Sequence, residues 1–434
     1  MVSPSEPAQT AADRWIEVYA QPRFAPNTPA TPSGEAVPIA VFGAEAHALQ
    51  LTWGRLPAQE MVVEVAGRSF PVGGPPPSWY PAREPGAAGP GALLVDGLEP
   101  ATDYDVTLVS EGRPRVLAAT ARTAPPPPGP PLVRFATLSD CHIGERRFGA
   151  VRRMRDPGSA VAGLDPYPVR ALKAARDEAL SWRAEQLVVR GDLTRQGGTV
   201  DARRVAGELL RSAVPVCAVL GNHDVAGPAD VAAVLRQAGV TVGTARQPAA
   251  ADLPGVRLVL GHTPVRGLHG GRLDPDHLDR LVALVAEAPG PAVLVLHHPP
   301  RTGGPPTSYP PVLSAADSRQ LVRRVVDANP AVLVLSGHTH RTRRYDVGGL
   351  AVSEVGSTKD YPGQWAGYTV YEGGIAQTAR RIAAPDVIAW TEMTGRALGG
   401  QWARWSPGRL SDRNWLHEWP SATEARRLRR RGAR

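Results

Sequence analysis

The stretch VRFATLSDCH (133–142) runs as a near-continuous apolar strand into a polar end that carries Asp140 and His142. The same grammar recurs downstream. QLVVR (186–190) leads into GD (191–192), PVCAVL (215–220) into GNHD (221–224), and AVLVL (292–296) into HHPP (297–300). A last strand, AVLVL (331–335), is followed by GHTH (337–340). Between them lie helical patterns: PVRALKAARDEALSWRA (168–184), DARRVAGELLRSA (201–213), DPDHLDRLVALVAEA (274–288) and SRQLVRRVVDA (318–328). Buried-type strands alternating with amphipathic helices predict a layered α/β domain with a largely parallel or mixed sheet.

In an open α/β sheet, residues beyond the carboxyl ends of the strands converge on one crevice. Six of the eleven histidines lie in the four His-bearing segments. Asp140, His142, Asp192, Asn222, His297, His338 and His340 are therefore expected to form a metal site. Oxygen and imidazole donors without thiolate suit iron, manganese or zinc. Cys141, between two of these donors, is expected to point away from them, and Cys217 reads as core. Seven donors exceed the needs of one ion, and two ions sharing a carboxylate are the economical arrangement.

The ordered series DxH, GD, GNHD, H and GHxH across residues 140–340 resembles the calcineurin-like metallophosphoesterases. The resemblance implies a layered α/β/β/α sandwich and hydrolysis of a phosphate ester by a metal-bridging hydroxide. It implies that Asp140, His142 and His340 hold one ion, that Asn222, His297 and His338 hold the other, and that Asp192 bridges them. His223 is then the general acid toward the leaving oxygen, with Asp224 orienting its imidazolium. His298 falls outside the ligand set. Together with His269, in the loop GLHGG, it is expected beside the substrate.

GNHD, LHHPP and GHTH resemble most the bacterial branch that contains class III cyclic-nucleotide phosphodiesterases, so a phosphodiester substrate is expected, cyclic nucleotides among the candidates. Purple acid phosphatases carry a tyrosine three residues after the GD aspartate, where this chain has Arg195. Where the bacterial branch carries Asp-Thr, this chain has His262 and Thr263. The arginines Arg146, Arg147, Arg152, Arg153 and Arg155 offer a phosphate clamp, and Tyr309, in RTGGPPTSYPP (301–311), a pocket border.

Upstream of the proline run at 125–131 the pattern is different. HALQLTW (47–53), MVVEVAG (61–67), ALLVDGL (92–98), DYDVTLV (103–109) and RVLAATA (115–121) alternate and are separated by turn signals. They predict an all-β sandwich. The stretch GLEPATDYDVTLVSEG (97–112) resembles the E–F corner of fibronectin type III domains, with Tyr104 as the corner tyrosine and Trp53 as the buried tryptophan. The expected organisation is an N-terminal segment (1–34), a fibronectin III-like sandwich (35–123), a semi-rigid Pro-rich linker (124–131), the phosphoesterase domain (132–383) and a Trp/Arg-rich extension (384–434).

Composition excludes other classes. With 42% apolar residues the 434-residue chain can bury sizeable cores. Two cysteines support neither a disulfide framework nor a thiolate zinc site. No run of about 18 apolar residues signals a membrane span, and no basic-then-apolar leader opens the sequence, so a cytoplasmic protein without a membrane partner is expected. The net charge of +8 is concentrated in the last 14 residues, which hold six Arg and one Glu. That tail lacks interleaved aromatics for stacking on bases, so nucleic acid is not the expected partner. The expected partners are a small-molecule phosphoester and a protein bound through the sandwich. The competing readings are a phosphomonoesterase acting on nucleotides or small metabolites, a binding module built on residues 1–123, and a nuclease using the tail.

Overall fold

The computed structural model describes residues 39–432, apart from 82–85, 112–114, 150–153 and 302–309. The expected N-terminal segment (1–34), Arg152, Arg153 and Tyr309 lie outside the described residues.

The first seven strands are β1 (Ile39–Ala44), β2 (Leu49–Trp53), β3 (Met61–Val65), β4 (Arg68–Val72), β5 (Gly91–Val95), β6 (Asp103–Val109) and β7 (Val116–Arg122). They form two sheets, β1-β2-β5 and β4-β3-β6-β7, with every pairing antiparallel. Alternation drives the packing: along β3, Met61, Val63 and Val65 are buried while Val62 and Glu64 between them are not. The inward residues meet Leu49, Leu51, Val95, Val106 and Leu108 in one core. Trp53 is buried there, and its indole donates to the Gly89 carbonyl at 3.1 Å. Gly91 leaves room for it, since a Cβ at that position would run into the indole. The Tyr104 hydroxyl accepts from the Glu99 amide at 2.8 Å, a backbone bond five residues upstream. Strands β1 and β4 escape the sequence reading for local reasons. The register of β1 shifts between Val41 and Gly43, and β4 is an edge strand containing Pro71, which breaks the strand signal.

The larger body has two packed sheets. Its strands are β8 (Pro131–Leu138), β9 (Gln186–Arg190), β10 (Val216–Val219), β11 (Thr241–Gly243), β12 (Ala249–Leu253), β13 (Val256–Leu260), β14 (Ala292–Val295), β15 (Val332–Ser336), β16 (Arg343–Val347), β17 (Leu350–Glu354), β18 (Gln364–Tyr371), β19 (Gly374–Arg381) and β20 (Asn414–Glu418). One sheet runs β11-β10-β9-β8-β18-β19-β20 and the other β12-β13-β14-β15-β17-β16. Each has a parallel centre and antiparallel edges: β8 to β11 pair in parallel, as do β13, β14, β15 and β17. Phe135, Val188, Val219, Leu258, Val293, Leu335 and Tyr368 fill the space between the sheets. Helices Tyr167–Ser181, Thr199–Leu209 and Val231–Gln237 cover the first sheet, and Pro275–Ala286 and Ala315–Ala328 the second. The last two start at side-chain caps that satisfy free amides: Asp274 accepts from His277 N, and Ser314 from Asp317 N. The layers are helix, sheet, sheet, helix.

The extension beyond 383 is part of this body. Its strand β20 pairs with β19 and completes the first sheet, and Trp390 and Trp415 are buried. The basic tail is a helix, Ala422–Gly432, whose Leu428 packs into the core under the second sheet. The sandwich is bonded directly to the larger body. Gln50, 4% exposed, both donates to the Arg381 carbonyl and accepts its amide, each at 2.8 Å. Glu45 pairs with Arg380 through two bonds of 2.8 and 2.9 Å, and Arg413 Nε donates to the Phe42 carbonyl at 2.7 Å. Among the described residues, no helix is long and apolar enough to cross a membrane.

Candidate metal centre

Five strand ends build the site. Asp140 and His142 follow β8, Asp192 follows β9, and Asn222 to Asp224 follow β10. His297 and His298 follow β14, and His338 and His340 follow β15. Asp140, His142, Asp192, His338 and His340 all have positive φ, between 46° and 70°. Left-handed backbone is unfavourable for residues with a Cβ and collects at functional sites, where the surrounding structure holds it in place. The motif glycines act differently, by absence of bulk. A Cβ on Gly221 would overlap the Asp192 carboxylate, and one on Gly337 would strike Ser139 and Asp140.

The outward nitrogens of the histidines are tied to the protein. His340 Nδ1 lies 2.8 Å from Asp360 Oδ2, His297 Nδ1 2.8 Å from the Arg190 carbonyl, and His338 Nε2 2.8 Å from the Pro311 carbonyl. Each acceptor demands the proton on that nitrogen, so the tautomer follows from the hydrogen bond and the other nitrogen turns a lone pair inward. Those lone pairs face other acceptors. His142 Nε2 and His340 Nε2 are 3.2 Å apart, His297 Nε2 is 3.3 Å from Asn222 Oδ1, and His340 Nε2 is 3.4 Å from Asp140 Oδ1. One oxygen, Asp192 Oδ2, lies 3.5 Å from His142 Nε2 and 3.4 Å from His297 Nε2. Acceptors packed against acceptors call for cations between them, and the donor set of imidazole and carboxylate suits transition-metal ions. Four overlapping groups emerge among the described residues, Asp140–His142–His340, Asp140–Asp192–His297, His142–Asp192–His223 and His297–His298–His338, with Asp192 Oδ2 reaching histidines on both sides.

Charge tells the same story. Burial alone would depress the imidazole of His297, but the carboxylates of Asp192 and Asp140 outweigh it and raise the group to about 9. Burial likewise opposes, and Asp360 and Asp140 overcome it, in lifting His340 to about 10. The carboxylate cluster attracts positive charge, and without ions the histidines themselves supply it as protons. Cys141 is buried with its thiol pushed up to about 12 by desolvation, an inert core residue.

Two expected roles change on inspection. The carboxylate of Asp224 does not reach the His223 ring. It accepts from Gly221 N (2.9 Å), Leu193 N (3.1 Å), Thr194 N (2.8 Å) and Thr194 Oγ1 (2.8 Å), pinning the GD loop to the GNHD loop. Its place at the imidazole is taken by the Arg195 carbonyl, 2.6 Å from His223 Nδ1. His298 is fully buried, with Nδ1 2.8 Å from Thr263 Oγ1 and Nε2 3.1 Å from the His269 carbonyl. Both its nitrogens are engaged by the protein, so it supports the loop rather than touching substrate. The side chain of His269 is exposed.

His223 remains at the centre, its ring 4.5 Å from that of His142. The arginines Arg146, Arg147 and Arg155 are exposed. At the expected Asp-Thr position, the His262 amide donates to His277 Nε2 at 2.9 Å, which fixes a buried neutral histidine. Sequence reasoning passed over Asp360, the partner of His340, which no motif includes. Trp402 packs against Phe148 and stands with its ring 6.5 Å from that of His340.

Residues 133–342 match the family model of the calcineurin-like phosphoesterases. A Synechococcus protein named as a probable cyclic nucleotide phosphodiesterase is 26% identical over 213 residues, 48% of this chain and 73% of that one. A purple acid phosphatase from yellow lupin (Lupinus luteus) seeds aligns at 13% identity with a TM-score of 0.40, over 81% of this chain and 72% of that one. The phosphopantetheinyl hydrolase of Mycobacterium tuberculosis aligns at 14% identity with a TM-score of 0.34, over 52% and 90%.

Proposed function

We propose that the chain is a dinuclear-metal phosphodiesterase, with cyclic nucleotides among its candidate substrates. The observation that carries this reading is the position of Asp192 Oδ2, between His142 Nε2 at 3.5 Å and His297 Nε2 at 3.4 Å. Asp140, His142 and His340 would hold one ion, Asn222, His297 and His338 the other, and Asp192 would reach both. Two ions so held would supply Lewis acidity toward the phosphoryl oxygens and would lower the pKa of bound water. Asn222 would ligate without adding negative charge near an anionic substrate. His223 is placed to protonate the leaving oxygen, with Nδ1 bonded to the Arg195 carbonyl and Nε2 left for the reacting group.

The preference for a diester is supported by the GNHD, HHPP and GHTH motifs and by the name of the Synechococcus relative. The N-terminal sandwich reads as fibronectin III-like, supported by its three-plus-four strand arrangement and the Tyr104–Glu99 bond. It is attached to the larger body through Gln50 and Glu45. Rates on bis(p-nitrophenyl) phosphate and p-nitrophenyl phosphate with added manganese test the substrate class. Faster diester hydrolysis is expected. A clear preference for the monoester would replace the diesterase by the phosphomonoesterase reading.

A further inference from the structure

Lys359 is one of two lysines among 49 basic residues, and it is 1% exposed. Its ammonium lies between two carboxylates, Glu145 Oε2 at 2.9 Å and Asp360 Oδ2 at 3.2 Å. The same Asp360 oxygen is 2.8 Å from His340 Nδ1. Phe148 covers the ammonium, its ring centre 5.8 Å away, and the Trp390 indole donates to the Lys359 carbonyl at 2.8 Å. All members of the chain Glu145–Lys359–Asp360 are buried.

The chain joins two metal-binding loops that come from different sheets. Glu145 sits at the end of the first, its amide bonded to the His142 carbonyl at 3.0 Å. The segment carrying Lys359 is stitched to the same loop, by Thr358 N to the Ser139 carbonyl (3.1 Å) and by Ser357 Oγ to the Asp140 carbonyl (2.8 Å). Through Asp360 it then grips His340 of the last loop. Three ions taken out of water are costly to hold, and such groups persist where geometry is being specified. A compact ammonium fits between two carboxylates under an aromatic ring where a planar guanidinium does not, which accounts for a lysine in a chain that otherwise prefers arginine. The arrangement leaves a net charge of one minus beside His340 and fixes which of its nitrogens turns inward.

We propose that Glu145, Lys359 and Asp360 are positioning residues that assemble the ion site of Asp140, His142 and His340 selectively, leaving the Asn222–His297–His338 site to form without them. The proposal rests on the metal-ligand reading above. Its test is calorimetric titration of the ion-free full-length protein with Mn²⁺, with metal content measured after gel filtration. The variants are Lys359→Met, Asp360→Asn and the double variant Lys359→Met/Glu145→Gln.

The wild type is expected to take two ions. Either single variant is expected to retain one, with affinity for the second reduced on the order of 10–100-fold. The double variant restores the net charge and leaves Asp360 to accept from His340, so it is expected to regain at least part of the lost affinity. Thermal melts of the ion-free proteins report folding, and if Lys359→Met fails to fold the near-isosteric Asp360→Asn decides. Two ions bound at wild-type affinity in Asp360→Asn would overturn the inference while leaving the metal centre standing. Equal weakening of both ions would show a merely structural role and overturn it too. A wild type that binds no ion would remove the metal-ligand reading along with it.

Discussion

The ring of His223 is held by the backbone carbonyl of Arg195, 2.6 Å from Nδ1. A neutral carbonyl orients an imidazole without the counter-charge that a carboxylate would give. His223→Ala is expected to slow hydrolysis of alkyl phosphodiesters, whose leaving groups need a proton, by about 10²–10⁴-fold. Esters of p-nitrophenol, which leave without protonation, should lose far less. The check is a plot of rate against leaving-group pKa for both proteins. Equal losses across the series would remove His223 from the acid role.

Close approach at Gly221 has a direct consequence. Its backbone is not left-handed, so a substitution acts only through the Cβ, which meets the Asp192 carboxylate. Gly221→Ala is expected to displace that carboxylate and cut bound metal and turnover by about tenfold or more, since a misplacement of about 1 Å costs that order in rate. Gly207, in the last turn of helix Thr199–Leu209 with open space at its Cβ, is the control. Gly207→Ala should leave metal content unchanged and add about 0.8–1 kcal/mol of stability.

Proton release should accompany metal uptake. Without ions, His297 titrates near 9 and His340 near 10, the carboxylates of Asp192, Asp140 and Asp360 outweighing burial. Both are therefore protonated at neutral pH, and an incoming ion must displace those protons. Apparent affinity rises with pH below about 9 and levels off as the pH passes through the two values. Calorimetry at pH 7 in buffers of different ionisation enthalpy is expected to count about two protons released per chain. Release of none would contradict the assignment of these two histidines as ligands.

The sandwich is expected to be fastened rather than swinging. Gln50→Ala orphans the amide and carbonyl of Arg381, both at a buried junction. A loss of about 2–4 kcal/mol is expected from two unsatisfied groups. Limited proteolysis around residues 124–131 should accelerate in parallel. An unchanged melt with unchanged cleavage would mean that the junction contributes little to docking.

The strands and their polar ends were readable because each carries its chemistry within a few residues. An apolar run followed by GD or GHTH signals a strand end wherever the chain places it. Contacts made across the fold left no such local trace. Asp360 reaches His340 across 20 residues and Glu145 reaches Lys359 across more than two hundred, so neither partnership can be read from a motif. The one visible clue was the rarity of lysine. Asp224 shows a different limit. The resemblance implied a pair with His223, but side-chain direction depends on which donors the folded loops present, and four backbone and hydroxyl donors face it. The continuation of the sheet through β20 was hidden because Asn414–Glu418 lacks a clean apolar alternation and gains its meaning from pairing with β19.

The central claim is that five strand ends create a two-ion centre for phosphoester hydrolysis. Metal analysis of the purified full-length protein, read together with turnover of bis(p-nitrophenyl) phosphate before chelation, after chelation and after manganese is restored, tests it most directly. About two transition-metal ions per chain are expected, with activity lost on chelation and regained with the metal. A protein that binds no transition metal and shows no metal-stimulated hydrolysis would contradict the account.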